Sequence, residues 1–433
     1  MTTERRLTAE LPDILGDLAM GSYPEYIDDV LATTARTRQR PAWTFPERWL
    51  PMVDIVRQPA FVPRLPWRGI SLAMLLIALL LAAAVVLFVG SQQRLPAPYG
   101  LARNGLIAFE AGGDIYTADA VTGAATAIVS GPAEDVGPRF SRDGRLVAFE
   151  RKVTGGKGQL YVARSDGSHL TLVTPEPVTI QAATSGRTWE KYQFSPDGSV
   201  LLIATMRSAY STLTIAQTDG SGARELDVGL RASEASFRPP NGAEILFIGG
   251  EGMSRGLYIV DLDKHKVREV RKLESDYDLA GPSWSPDGAK IAYWSWGGRG
   301  EGLNSKTHVI AADGTGDREL PSPPGAVWNA HATWSNDGTR LFIARAYSGG
   351  FDDVRGVVIP ADGRNFGVEV AQDVETECCA AWQWSPDDSK VLGRSTALHV
   401  APRQPIVIDV AAKQALPVPW AVTSDPTWQR LAP

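Results

Sequence analysis

The stretch Trp284–Trp294, WSPDGAKIAYW, decides how the chain folds, because it returns in altered form along most of the sequence. FSPDGSVLLIA begins at Phe194, WSNDGTRLFIA at Trp334 and WSPDDSKVLGR at Trp384. Weaker copies are FSRDGRLVAFE at Phe140 and FRPPNGAEILFI at Phe237. The Ser-Pro-Asp-Gly core is turn chemistry. Ser bonds the backbone ahead of it, Pro presets φ, Asp tolerates the third position, and Gly relieves the fourth. An aromatic residue precedes the turn and an alternating apolar run follows, so each copy predicts strand, tight turn, strand.

The aromatic anchors at 140, 194, 237, 284, 334 and 384 are separated by 54, 43, 47, 50 and 50 residues. That period fits one four-stranded propeller blade per copy. Two further strands follow each phrase, as in LYVARSDGSHLTLVT (160–174) and LYIVDLDKHKVREVR (257–271). Residues 104–129 have the last three strands of a blade but no phrase before them. DPTWQRL (425–431) looks like a lone first strand with Trp428 at the anchor. Joining the two gives seven blades and closes the ring, which removes exposed sheet edges. The expected fold is all-β: a seven-bladed propeller closed by the C-terminal strand, after one transmembrane helix and a short helical cytoplasmic segment.

The phrases resemble the TolB-type propeller repeat over about residues 101–431. Similar repeats occur in periplasmic scaffolds and ahead of prolyl-oligopeptidase catalytic domains, so the resemblance implies a fold and leaves function to the site.

Four segments are expected: 1–69 cytoplasmic, 70–89 membrane-spanning, 90–100 a tether containing proline, and 101–433 the propeller. Residues 70–89 are twenty apolar or small residues without charge, long enough for a bilayer core. Seven Arg against two acids in 36–68 place the N-terminus in the cytoplasm and the propeller outside. Trp43, Trp49, Arg64, Trp67 and Arg68 mix basic and aromatic side chains beside the span, which suits an anionic membrane surface. This segment resembles juxtamembrane regions of bacterial propeller proteins. Two short amphipathic patterns, around Leu11–Leu18 and Ile27–Thr34, need a partner, a membrane or each other. A net charge of −6 gives no support to a nucleic-acid partner.

The sequence has no HExxH, Walker or EF-hand pattern, so no metal or cofactor is expected. Gly252-Met253-Ser254-Arg255-Gly256 matches the G-x-S-x-G hydrolase pattern but joins two strands of one blade, where the motif needs a strand-to-helix elbow. The expectation is a protein without catalysis. Cys378 and Cys379 are adjacent and fit either two separately buried thiols or a vicinal disulfide.

Three residues before the anchors stand Gly137, Lys191, Glu234, Gly281, His331, Ala381 and Asp425. These are expected to enter the first strand and line the channel, with Trp189 and Trp328 near its mouth. The arrangement fits either a hydrated channel or a site for a small polar ligand or peptide segment, with Lys191, Glu234, His331 and Asp425 as ligand-binding residues. Two functions suit the whole: a tethered scaffold that binds a protein or polar ligand, or a transmembrane sensor whose cytoplasmic helices grip a regulator in the anti-sigma manner.

Overall fold

The computed structural model describes residues 71–80, 99–178, 192–207, 210–251, 254–272, 277–297, 305–347, 353–372, 383–394, 405–420 and 425–432. The chain divides into two units, Met1–Leu87 and Phe88–Pro433.

In the first unit, residues 71–80 form a helix whose apolar side chains, among them Leu72, Leu75 and Leu79, are exposed. Among the described residues no helix is long and apolar enough to cross a membrane. The ten helical residues are half of the expected span. Residues 70 and 81–89 lie outside the described residues, as do Trp43, Trp49, Arg64, Trp67 and Arg68.

In the second unit, the described strands form seven four-stranded antiparallel sheets. Blade 1 holds β1 (Arg103–Ala111), β2 (Asp114–Ala118) and β3 (Ala125–Val129). Blade 2 is β4 (Asp135–Phe140), β5 (Leu146–Val153), β6 (Lys157–Arg164) and β7 (Thr171–Leu172). Blade 3 is β8 (Tyr192–Phe194), β9 (Val200–Arg207), β10 (Tyr210–Gln217) and β11 (Ala223–Leu226). Blade 4 is β12 (Ala232–Phe237), β13 (Glu244–Glu251), β14 (Ser254–Asp261) and β15 (Lys266–Lys272). Blade 5 is β16 (Tyr277–Trp284), β17 (Lys290–Gly297), β18 (Lys306–Ala311) and β19 (Arg318–Glu319). Blade 6 is β20 (Trp328–Trp334), β21 (Arg340–Ala346), β22 (Val354–Pro360) and β23 (Val368–Gln372). Blade 7 is β24 (Gln383–Trp384), β25 (Lys390–Arg394), β26 (Pro405–Asp409) and β27 (Gln414–Pro417). The last strand, β28 (Thr427–Leu431), pairs with β1, Ile107 opposite Trp428, and completes blade 1. The C-terminal strand therefore closes the ring.

The core lies between blades. Side chains alternate across each strand, so every sheet has two faces to bury and each meets a neighbouring blade. One cluster joins Leu202 and Leu213 of blade 3 to Phe237 and Phe247 of blade 4. The next joins Leu246 and Ile259 of blade 4 to Trp284 and Tyr293 of blade 5. Each such side chain, fully buried, contributes about 1.5–3 kcal/mol.

Candidate functional site

The repeated phrase builds the channel wall. In blade 5, Ser285 Oγ donates to Asp287 Oδ1 (2.6 Å) and accepts from the Lys290 N–H (2.9 Å), while the Gly288 N–H donates to the Ser285 carbonyl. The same set recurs at Ser141, Ser335 and Ser385. In blade 7, Asp388 takes the glycine position at φ 59°. Its carboxylate accepts the backbone N–H of Asn336 (2.7 Å) and of Asp337 (2.9 Å) in blade 6. Burial raises its pKa above the usual carboxylate value, although those bonds oppose the rise.

Hydrogen bonds seal each blade junction at the channel. The indole N–H of Trp284, Trp334 and Trp384 donates to the carbonyl of Ser236, Ser283 and Thr333 in the preceding blade. Gln193 and Gln383 instead accept the backbone N–H of Phe237 and Trp428 in the following blade. Tyr192 donates to the Gly137 carbonyl, and Arg139 Nη1 donates to the Asp425 carbonyl (3.1 Å). One side-chain hydrogen bond at each junction thus ties neighbouring inner strands together.

The channel encloses a cavity of about 340 Å³. Glu234, Gly281 and His331 line it from blades 4, 5 and 6. All three occupy bulges of the first strand, with φ of 50°, 59° and 59°, and Gly137 of blade 2 does the same at 66°. Glycine takes that conformation freely; Glu and His pay about 1–2 kcal/mol for it. The Glu234 carboxylate compensates by accepting the Gly281 N–H of the next blade (2.8 Å) and facing Arg255 Nη2 at 3.6 Å. The His331 ring lies 5.1 Å from the ring of Trp294. The bulge turns these side chains out of the strand alternation and toward the channel.

Three arginines also line the cavity: Arg139, Arg142 and Arg430. The Arg142 guanidinium lies 4.8 Å over the ring of Tyr99. Arg430 is 4% exposed and donates to Asn336 Oδ1 (2.7 Å) and to the Gly100 carbonyl (2.6 Å). Burial, and then the charge of Arg142, lower its pKa to about 10.

The expected site residues are thus divided. Glu234 and His331 reach the cavity. Asp425 is buried one residue short of the cavity-lining Pro426 and precedes β28 instead of entering it. Trp328 does not stand at a channel mouth. It is buried among Trp294, Phe342 and Val354 in the layer between blades, because it precedes the bulge that redirects His331. Lys191, Trp189, Ala381, Cys378 and Cys379 lie outside the described residues. Of the G-x-S-x-G stretch, Ser254, Arg255 and Gly256 lie in β14, with Ser254 paired to Glu251 of β13, while Gly252 and Met253 lie outside the described residues. Its Arg255 bridges Glu234 and Asp278 (3.1 Å).

A second constellation lies away from the channel, where blade 5 meets blade 4. Ser295 Oγ is 3.1 Å from His308 Nε2, and His308 Nδ1 is 3.6 Å from Asp317 Oδ1. Tyr293 donates to Asp317, its ring stacked 4.9 Å from that of His308, and Arg271 of blade 4 pairs with Asp317 at 3.0 Å. Burial pushes the Asp317 carboxyl up, but the bonds from His308 and Tyr293 and the Arg271 charge outweigh it and leave the group below its usual value. Sequence patterns miss this set because its members sit on different strands, brought together by the Tyr293–His308 pairing.

Residues 106–278 match the family described as the TolB beta propeller domain. Over those residues the propeller is of the TolB type. The chain is 23% identical over 185 residues to the uncharacterized peptidase YuxL of Bacillus subtilis (strain 168), covering 42% of this chain and 24% of that protein. It thus spans about a quarter of the length of this curated relative. Among solved structures, a Mycobacterium tuberculosis puromycin-hydrolyzing peptidase superposes with a TM-score of 0.51 at 14% identity, over 78% of this chain and 57% of that one. An oligogalacturonate lyase in complex with manganese gives a TM-score of 0.50 at 16% identity, over 69% and 82%. Likeness at these identities is likeness of fold.

These relatives overturn the expectation of a protein without catalysis. The curated relative that matches 185 residues of the chain is named a peptidase, and the solved structures of similar fold include a peptidase and a lyase. The expectation rested on contiguous motifs, and catalytic groups can be assembled from separate strands that no such motif records.

Proposed function

We propose that the chain is a membrane-tethered, extracytoplasmic TolB-type propeller that captures a polar ligand or peptide segment in its central channel. The observation that carries this reading is the pair Glu234 and His331. Both are held in a left-handed conformation where two other blades use glycine, and both face the same cavity. Backbone strain of this kind collects at binding sites, and convergent polar groups in a concave site are the usual form of a ligand pocket. The tether rests on the twenty uncharged residues 70–89 and on the arginines that precede them.

A photo-crosslinking amino acid at Thr333, on the cavity wall, tests the channel. In the native host it should give a discrete adduct that the same group at exposed Lys264 does not give. Identical adducts from both positions, or none from Thr333, would refute the reading.

The Ser295–His308–Asp317 set favours a second reading, an acyl-transfer activity. With the imidazole proton on Nδ1 facing Asp317, Nε2 takes the Ser295 proton as Oγ bonds to an acyl carbon. It then returns that proton to the departing alkoxide, and water releases the acyl group by the same steps. A fluorophosphonate probe should label the full chain at Ser295 and lose the label in Ser295→Ala and His308→Gln. An unlabelled wild type would refute it.

A further inference from the structure

The anchor defines an equivalent pair of positions in every blade. Two places beyond the anchor's partner, the second strand carries Phe109, Phe149, Ile203, Phe247, Ile343 or Gly393 in six blades. Opposite this residue, the third strand carries Tyr in three blades and Thr, Val or Ile in the others. In blades 1, 2 and 4 the two rings stack, with centroids 5.5, 5.9 and 5.8 Å apart. Blade 5 keeps the stack, at 4.9 Å, but builds it from Tyr293 and His308. The repeat thus asks for flat side chains here, and not for a hydroxyl at the first position or an imidazole at the second.

The junction of blades 4 and 5 has a staple of its own without Arg271. Arg268 Nη1 donates to the Ala312 carbonyl (2.8 Å), just as Arg318 joins blade 5 to blade 6 by donating to the carbonyls of Ala361 and Asp362. Arg271 is a further arginine on β15, and its Nε meets Asp317 Oδ2 at 3.0 Å. Tyr293 on β17, His308 on β18 and Arg271 on β15 converge on this one half-buried carboxylate. The flanking charges are engaged elsewhere. Lys306 and Glu319, opposite Ser295 and His308 in the sheet, pair with each other (2.8 Å), and Arg268 also faces Glu244 (3.8 Å).

We infer that Tyr293 and Arg271 are positioning residues: they fix the Asp317 carboxylate from two blades, so that it holds His308 toward Ser295. This rests on the acyl-transfer reading above and adds to it a dependence on the docking of blade 4 against blade 5. A carboxylate with both oxygens engaged does not swing away from the imidazole. It keeps the imidazole proton on Nδ1 and leaves Nε2 to accept from Ser295 Oγ at 3.1 Å.

The rate at which a fluorophosphonate labels Ser295 in the full chain in detergent, followed from about pH 5 to about pH 9, tests the inference. Tyr293→Phe gives blade 5 the residue of blades 1, 2 and 4, so the stack and the thermal transition should be kept. It should slow labelling at neutral pH roughly tenfold, and Arg271→Met should do the same. Losing the guanidinium charge also eases proton uptake by the set, so in Arg271→Met the acid limb of the curve should move up by about one pH unit. Arg271→Lys, which keeps the charge, should restore the limb. Lost junction packing alone would lower the rate at every pH and leave the limb in place. Wild-type labelling rates in either Tyr293→Phe or Arg271→Met, or a limb that Met leaves unmoved or Lys does not restore, would overturn the inference. The acyl-transfer reading would then stand on the labelled wild type; an unlabelled wild type would remove both.

Discussion

Gly288 and Gly198 occupy the same position of the same turn, with φ of 68° and 75°, but their surroundings differ. A Cβ on Gly288 would meet the Pro239 carbonyl oxygen of blade 4 at 2.2 Å and Arg238 Cγ at 3.2 Å. A Cβ on Gly198 would meet only Ser141 Cβ, at 3.8 Å. Both Gly→Ala changes pay the left-handed cost of about 1–2 kcal/mol, less about 0.4–1 kcal/mol because alanine stiffens the unfolded chain. Gly198→Ala should therefore cost about 1 kcal/mol. Gly288→Ala must also push the turn off the preceding blade by roughly 1 Å, an overpacking cost of about 1–3 kcal/mol. It also disturbs the bond from Arg238 Nε to the Gly288 carbonyl (2.9 Å). Its total should be about 2–4 kcal/mol. Urea unfolding of the full chain, followed by tryptophan fluorescence, measures both. Equal losses in the two variants would show that the turns do not bear on the preceding blade, and the packing of the ring would need another account.

Burial holds the Tyr192 hydroxyl well above the usual tyrosine value, with Arg139 opposing and Glu150 adding to the rise. Above about pH 10 the unfolded chain releases this proton while the folded chain keeps it, so stability must fall as pH rises past 10. Tyr192→Phe should make the pH 9.5–11 limb of the stability curve shallower, and at pH 7 it should cost about 1 kcal/mol for the bond to Gly137. An unchanged limb would contradict the burial of this group. Trp384→Phe removes the bond to the Thr333 carbonyl (3.0 Å) and keeps most of the ring; it should cost about 1–3 kcal/mol in the same urea assay. A neutral result would mean that the anchors act through packing alone.

The ring was legible because its information is local. Ser, Asp and Gly at fixed offsets make one hydrogen-bonded turn, and the aromatic before them must be buried. Even the missing strand of blade 1 is visible, since Trp428 falls at the anchor of a lone strand. The channel was legible only in part. Spacing places Glu234 and His331 toward it, but not Trp328, whose direction depends on a bulge three residues downstream. The left-handed conformation at 234 and 331 is hinted at by Gly137 and Gly281 in the equivalent places, yet Glu is no signal of it. Arg142 and Arg430 are visible as breaks in the Pro position, in blades that only the closed ring sets side by side. The Ser295–His308–Asp317 set was illegible because it depends on β17–β18 register and on Arg271 from another blade.

Occupancy of the channel in its native setting tests the central claim most directly. With Cys378 and Cys379 replaced by Ser, a single cysteine at Thr333 can be labelled with a membrane-permeant maleimide, in intact cells and in the purified protein. A ligand-holding channel predicts slow labelling in cells and fast labelling after purification, while a cysteine at Lys264 reacts alike in both. Equal rates at position 333 in the two settings would contradict capture of a ligand by the channel.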